Sequence, residues 1–162
     1  MRQYAGLIEN DFANGQGVCT SLWVQGCPHR CPGCHNPETW DFKGGYEIES
    51  QEIINKIIQA ISANGITRNF SILGGEPLCP ENLPFVEEVV IKIRDSYPDI
   101  KIFLWTGYTL EYLKKQKEQR IENILSRIDV LIDGPFILAQ RNITLPLRGS
   151  ENQRVLYKGI DF

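Results

Sequence analysis

No stretch of this sequence is apolar for anything near the roughly 20 residues that a membrane span requires, so no transmembrane helix is expected. There is no basic excess either. The formal charge is −3, and nothing in that balance points to nucleic acid as a ligand. The first residues, Met1-Arg2-Gln3-Tyr4-Ala5, lack the apolar core of a secretory signal, which leaves the cytosol as the expected location. Methionine occurs only at position 1, so no interior Met is available as an axial haem ligand. Repeats, low-complexity tracts, paired carboxylates and a nucleophilic triad are all missing. What remains is an ordinary globular composition, 42% apolar and 23% charged, whose 162 residues suit a single domain over 1–162.

Against that background the five cysteines need a reason. A reducing compartment does not favour structural disulfides, and the count is odd. Cys27, Cys31 and Cys34 fall on one short loop, which reads as metal ligation or redox chemistry.

The apolar pattern alternates β-rich runs with amphipathic stretches. Residues 19–25 read as a strand that runs into a loop broken by Gly26, Pro28, Pro32 and Gly33. Ile53, Ile54, Ile57, Ile58 and Ile61 then mark one face of a helix, with Ser50 as its N-cap and Asn64-Gly65 as its stop. Strands at 70–73, 100–105 and 130–132 alternate with helices over 82–97 and 109–127. Such alternation predicts an α/β protein with a mostly parallel sheet and right-handed crossovers. Four or five strands are legible, so an incomplete, open TIM-type barrel is expected rather than a closed one of eight. The unusual segments, namely the cysteine loop, Gly-Gly-Glu-Pro, Trp-Thr-Gly-Tyr and Asp-Gly-Pro-Phe, all follow strand ends. In parallel folds that rim carries the active site.

The cysteine loop admits four readings. Three thiolates from one loop would hold a cubane iron–sulfur cluster and leave one iron open. Structural zinc would need His35 as the fourth ligand, awkwardly adjacent to Cys34. Cys31-Pro32-Gly33-Cys34-His35 fits the short haem-attachment pattern, but that chemistry normally follows export. Cys31 and Cys34 form a C-x-x-C dithiol, which leaves Cys27 unexplained.

The spacing of Cys27, Cys31 and Cys34, followed one βα unit later by Gly74-Gly75-Glu76-Pro77, resembles the signature of the radical S-adenosylmethionine (SAM) superfamily. The resemblance implies a 4Fe–4S cluster on Cys27, Cys31 and Cys34, with SAM chelating the open iron. It implies that Gly74, Gly75 and Glu76 hold the methionine amine, and that Gly33, Cys34 and His35 line the adenine side. The two glycines let backbone approach a ligand closely, and Glu76 is an acceptor for an ammonium group. Gly33 departs from the aromatic residue that many members carry before the third cysteine. Thr106 and Asp133, at strand ends, either face SAM or the partner loop, or serve as a cap or turn residue. Residues 148–154 are either a partner-docking segment or a solvated polar tail. Cys19 reads as a small buried hydrophobe, Cys79 has no assigned role, and His29 reads as a surface loop residue.

The similarity extends over nearly the whole chain. Asn14-Gly15-Gln16-Gly17, Cys34-His35-Asn36-Pro37-Glu38-Thr39-Trp40, Trp105-Thr106-Gly107-Tyr108, Asp133-Gly134-Pro135-Phe136 and Arg148-Gly149-Ser150-Glu151-Asn152-Gln153-Arg154 resemble the activases of anaerobic (class III) ribonucleoside-triphosphate reductases. Pyruvate formate-lyase activases share the core signature and are the alternative. The resemblance implies reductive cleavage of SAM and a glycyl radical made on the reductase as protein substrate. It also implies an external flavodoxin- or ferredoxin-type electron donor.

Overall fold

The structure, a computed structural model, describes residues 1–162. Its frame is one sheet of seven strands in the order β3-β1-β2-β4-β5-β6-β7. The strands are β1 (Arg2–Asp11), β2 (Cys19–Val24), β3 (Tyr46–Ile48), β4 (Asn69–Gly74), β5 (Ile102–Trp105), β6 (Val130–Asp133) and β7 (Arg154–Tyr157). The central four, β2, β4, β5 and β6, pair in parallel. Both flanks are antiparallel, with β3 and β1 on one side and β7 on the other. The α/β expectation with a mostly parallel centre therefore holds.

Helices α1 (Ser50–Ile61), α2 (Leu83–Ser96), α3 (Leu110–Lys115) and α4 (Gln119–Leu125) form the crossovers. The four parallel strands lie in chain order, so every crossover steps the same way. Right-handed connections then put every helix on the same face. Side-chain alternation agrees. Leu22, Val24, Phe70, Ile72, Ile102, Leu104 and Leu131 share a large core with the helical Ile53, Ile57, Val86, Val89, Ile121 and Ile124. Their neighbours in the strands, Cys19, Phe103, Val130 and Ile132, make a small separate cluster on the opposite face. Period-two alternation is what sorts the two sets.

Local signals fix the helix ends. Asn64 and Gly65 take left-handed φ values of 58° and 72° just beyond α1, where the stop was predicted. Ser50 is the first residue of α1, and Glu49 takes the N-cap place instead. The region expected as helix over 109–127 divides in two, with Lys117 at φ 50° between the pieces. No helix is long and apolar enough to cross a membrane.

The opposite face is closed in part by the segment after β1. Buried Asp11 accepts bonds from the amides of Ala13 (2.9 Å) and Asn14 (3.1 Å) and from the hydroxyl of Ser21 (2.7 Å). Burial opposes the charge of Asp11, but the Asn14 side-chain amide (2.9 Å) together with these donors outweighs it and holds the carboxyl below the usual range. Gly15 can lie on the sheet there because it has no side chain. At φ 135°, a Cβ would stand 3.0 Å from the Ser71 hydroxyl and 3.4 Å from the Phe103 ring.

Candidate functional site

Because β2, β4, β5 and β6 are parallel, the four unusual segments that follow them emerge at one edge. The cysteine loop is seated first. The amides of Gly26 and Cys27 donate to the carbonyls of Thr39 (2.7 Å) and Trp40 (3.2 Å), so the chain beyond the cysteines folds back beside the end of β2. Buried Gln25 ties the same return with bonds to the carbonyls of Glu38 (2.9 Å) and Asp41 (2.7 Å). A tight turn brings the Cys34 amide 3.0 Å from the Cys31 carbonyl, and the Asn36 amide donates to Cys34 Sγ at 3.4 Å.

Cys27, Cys31 and Cys34 are free, partly exposed, and line one cavity of about 380 Å³. His35, Gly74, Gly75, Glu76 and Thr106 share its wall. A tetrahedral zinc site would draw all its ligands onto one ion. A cubane instead distributes its thiolates over separate irons, and three thiols around an open cavity suit that donor set. Burial pushes the Cys27 thiol up, while backbone bonds near His29 and Arg30 pull it partly back. Two buried donors on the same wall, Trp40 Nε1 and Arg148 Nε, have no protein partner. A ligand rich in acceptors fits that deficit.

The Gly-Gly-Glu-Pro loop is held directly against the cysteine loop. The Gly75 amide donates to the Val24 carbonyl and the Glu76 amide to the Gly26 carbonyl, both at 2.9 Å. Asn82 Nδ2 clamps the pair by donating to the carbonyls of Gly26 (3.1 Å) and Glu76 (2.9 Å). A Cβ on Gly75 would overlap the Gly26 carbonyl oxygen, so this approach requires glycine. The Glu76 carboxylate, 1% exposed, accepts from the Leu78 amide (2.9 Å) and Thr106 Oγ1 (2.7 Å) on Oε1. On Oε2 it accepts from the Gly107 amide (2.7 Å) and His29 Nε2 (2.7 Å).

Not every predicted residue lies on that wall. Gly33 does not line the cavity, and a Cβ on it would meet Leu138 Cδ1 at 2.7 Å. His35 is exposed and turns its ring edge toward Phe136, 6.4 Å between centroids. Asp133 does not line the cavity. Fully buried, it caps α3 through the Leu110 amide (2.8 Å) and pairs with Arg154. Cys19 is buried as expected, and Cys79 is a buried thiol pushed up to about 12 by desolvation, ill-suited to ligation. His29 is not at the surface. Its side chain is only 19% exposed and reaches Glu76. Nor is 148–154 a free tail. Gln153 accepts from the amides of Gly149 (2.8 Å) and Ser150 (3.1 Å) and donates to the Gly134 carbonyl (3.1 Å). Asn152 donates to the Pro135 carbonyl (2.7 Å), so the segment is stapled to Asp-Gly-Pro-Phe as a wall of the cavity. The bonding roles of Asn82 and His29 were not legible in the sequence, since a helix-start Asn and a lone loop His carry no signal of the long-range bonds they make.

Asp133→Ala should therefore act on stability. It uncaps the Leu110 amide and leaves Arg154 only the exposed Glu111, a loss of about 2–3 kcal/mol after allowing for the solvent access of Arg154. Urea denaturation measures that loss. SAM affinity of the folded variant tests the cap role: a large drop would mean that Asp133 meets the ligand after all.

Comparison with known proteins follows the same outline. A family described as "4Fe-4S single cluster domain" matches residues 13–156. The "Anaerobic ribonucleoside-triphosphate reductase-activating protein" of Vibrio cholerae is 41% identical over 144 residues, 88% of this chain and 90% of the relative. The protein of that name from Pasteurella multocida is 37% identical over 156 residues, 96% of each chain. The one from Escherichia coli K12 is 37% identical over 146 residues, 90% of this chain and 92% of the relative.

Proposed function

The chain belongs to the family of anaerobic ribonucleoside-triphosphate reductase-activating proteins, and from that premise we propose that it generates a glycyl radical on such a reductase by reductive cleavage of SAM. The observation that carries this reading is the shared cavity. Three free thiols of one loop and a Gly-Gly-Glu loop, packed against each other, line it together. Cys27, Cys31 and Cys34 would hold a 4Fe–4S cluster. When bound, that cluster supplies the electron that breaks the C5′–S bond of SAM, giving methionine and the 5′-deoxyadenosyl radical that takes hydrogen from a glycine of the reductase.

The chain's own part is to bind, orient and exclude water. Gly74 and Gly75 would present backbone to the methionine end, their missing Cβ atoms letting this loop lie against Val24 and Gly26, with Glu76 behind them. Cys34 and His35 would face the adenine side beside Phe136, with Gly33, packed against Leu138, backing that side. Trp40 Nε1 and Arg148 Nε offer donors to acceptor atoms of the ligand. Thr106 acts through Glu76. The sheet is read as an incomplete TIM-type barrel within one domain over 1–162. Four parallel strands in chain order with helices on one face support that winding. The open rim suits a protein substrate. A flavodoxin- or ferredoxin-type protein is the expected electron donor, and the cytoplasm the expected location.

Anaerobic reconstitution should load about four iron and four sulfide per chain. With a strong reductant the protein should convert SAM to 5′-deoxyadenosine, and electron paramagnetic resonance should detect a glycyl radical on added reductase. Radical formation on a pyruvate formate-lyase but not on the reductase would favour the alternative activase. A colourless protein without sulfide would end the proposal.

A further inference from the structure

The Glu76 carboxylate is buried, and a carboxylate offers about four acceptor sites. All are taken: by the amides of Leu78 and Gly107, the Thr106 hydroxyl and His29 Nε2. Leu78, Thr106 and Gly107 belong to the loops beyond β4 and β5. His29 alone comes from the cysteine loop, between Cys27 and Cys31.

The ring of His29 lines the cavity with one side and is fitted against Tyr108 and Gly107 on others. It meets Tyr108 edge-on, 4.6 Å between centroids at 69°. Gly107 makes room for it, since a Cβ there would stand 2.6 Å from His29 Cδ2 and 2.7 Å from Nε2. Hydrogen bonds to a buried carboxylate are among the strong ones, and removing one donor leaves the charge short of a partner.

We infer that His29 is a positioning residue that locks the cysteine loop onto the Gly-Gly-Glu-Pro loop through Glu76, so that the seat for the methionine end of SAM exists only when both loops are joined. The inference rests on the SAM-dependent reading above. With every acceptor site of Glu76 in use, its carboxylate shapes the ligand site through the backbone it holds. The Glu76 amide bonds to the Gly26 carbonyl beside Cys27, and the Asn82 clamp spans the same two carbonyls.

The test uses reconstituted holoenzyme and reads SAM binding by equilibrium dialysis without reductant, together with iron content. His29→Ala should retain its iron and weaken SAM binding by about tenfold or more, the scale of a lost bond to a charged group. His29→Gln, which restores an N–H donor, should recover most of the affinity. Gly107→Ala expels the ring while leaving His29 in the chain, and it should reproduce the loss even if His29→Ala proves unable to hold its cluster. KM for SAM should rise in these variants while kcat falls less. Unchanged binding in both His29→Ala and Gly107→Ala would overturn the inference. So would tighter binding in His29→Ala, because that ring would then be blocking the ligand. Wild-type protein that neither assembles a cluster nor binds SAM would overturn the functional reading instead, so the two failures are distinct.

Discussion

Cys31→Ala should abolish SAM cleavage and reduce iron from about four per chain to trace levels. On the proposed ligand set, Cys27 and Cys34 alone would leave a cubane with an unsupported corner. The fold itself survives. Cys31 is partly exposed, and its carbonyl, which the Cys34 amide engages, is untouched by the substitution. A surface-loop truncation of this kind costs within about 1 kcal/mol. Anaerobic iron and sulfide analysis, 5′-deoxyadenosine yield and a thermal melt distinguish lost ligation from lost structure. Full cleavage with normal iron content would remove Cys31 from the ligand set.

Gly75→Ala is the second large effect, and it acts through backbone. The new methyl would overlap the Gly26 carbonyl oxygen and stand 2.9 Å from its carbon. No flexible side chain can yield there. The strain must move either the Gly-Gly-Glu-Pro loop or the residue next to Cys27. That same carbonyl accepts from the Glu76 amide and from Asn82, so those bonds loosen as well. Overpacking of this sort costs about 2–3 kcal/mol, or roughly 6–9 °C in Tm for a chain this size. SAM affinity should fall with it, and cluster loading should become incomplete. Cys79→Ala is the control. It removes a thiol donor (3.2 Å) from the Glu76 carbonyl but leaves the Asn82 bond to that carbonyl and the Gly26 contact in place, so it should lower Tm with iron content unchanged. A Gly75→Ala protein that melts and binds SAM like wild type would show that the loops do not meet as described.

The central strands and the helices were legible because each carries its own periodicity. Ile53, Ile54, Ile57 and Ile61 fall on one helical face, and Phe70 with Ile72 alternates with Ser71 in β4. β1, β3 and β7 were not legible. Arg2-Gln3-Tyr4-Ala5-Gly6-Leu7-Ile8-Glu9-Asn10-Asp11 has no clean alternation, and most of β1 is only half-buried. What makes it a strand is the hydrogen-bonding edge of β2, a partner the local sequence does not reveal.

The site divides along the same line. Residue identity and short spacing determined by themselves that three thiols share a loop and that a glycine pair opens the next strand end, because soft donors and missing Cβ atoms are chemical properties of the residues. Only the tertiary structure decided that Asp133 turns inward to Arg154, that Gln153 walls the cavity, and that His29 and Asn82 join two loops about 50 positions apart. Those contacts depend on which strand lies beside which. Parallel crossovers bring distant strand ends to one edge, and a buried carboxylate there takes whatever donors the packing delivers.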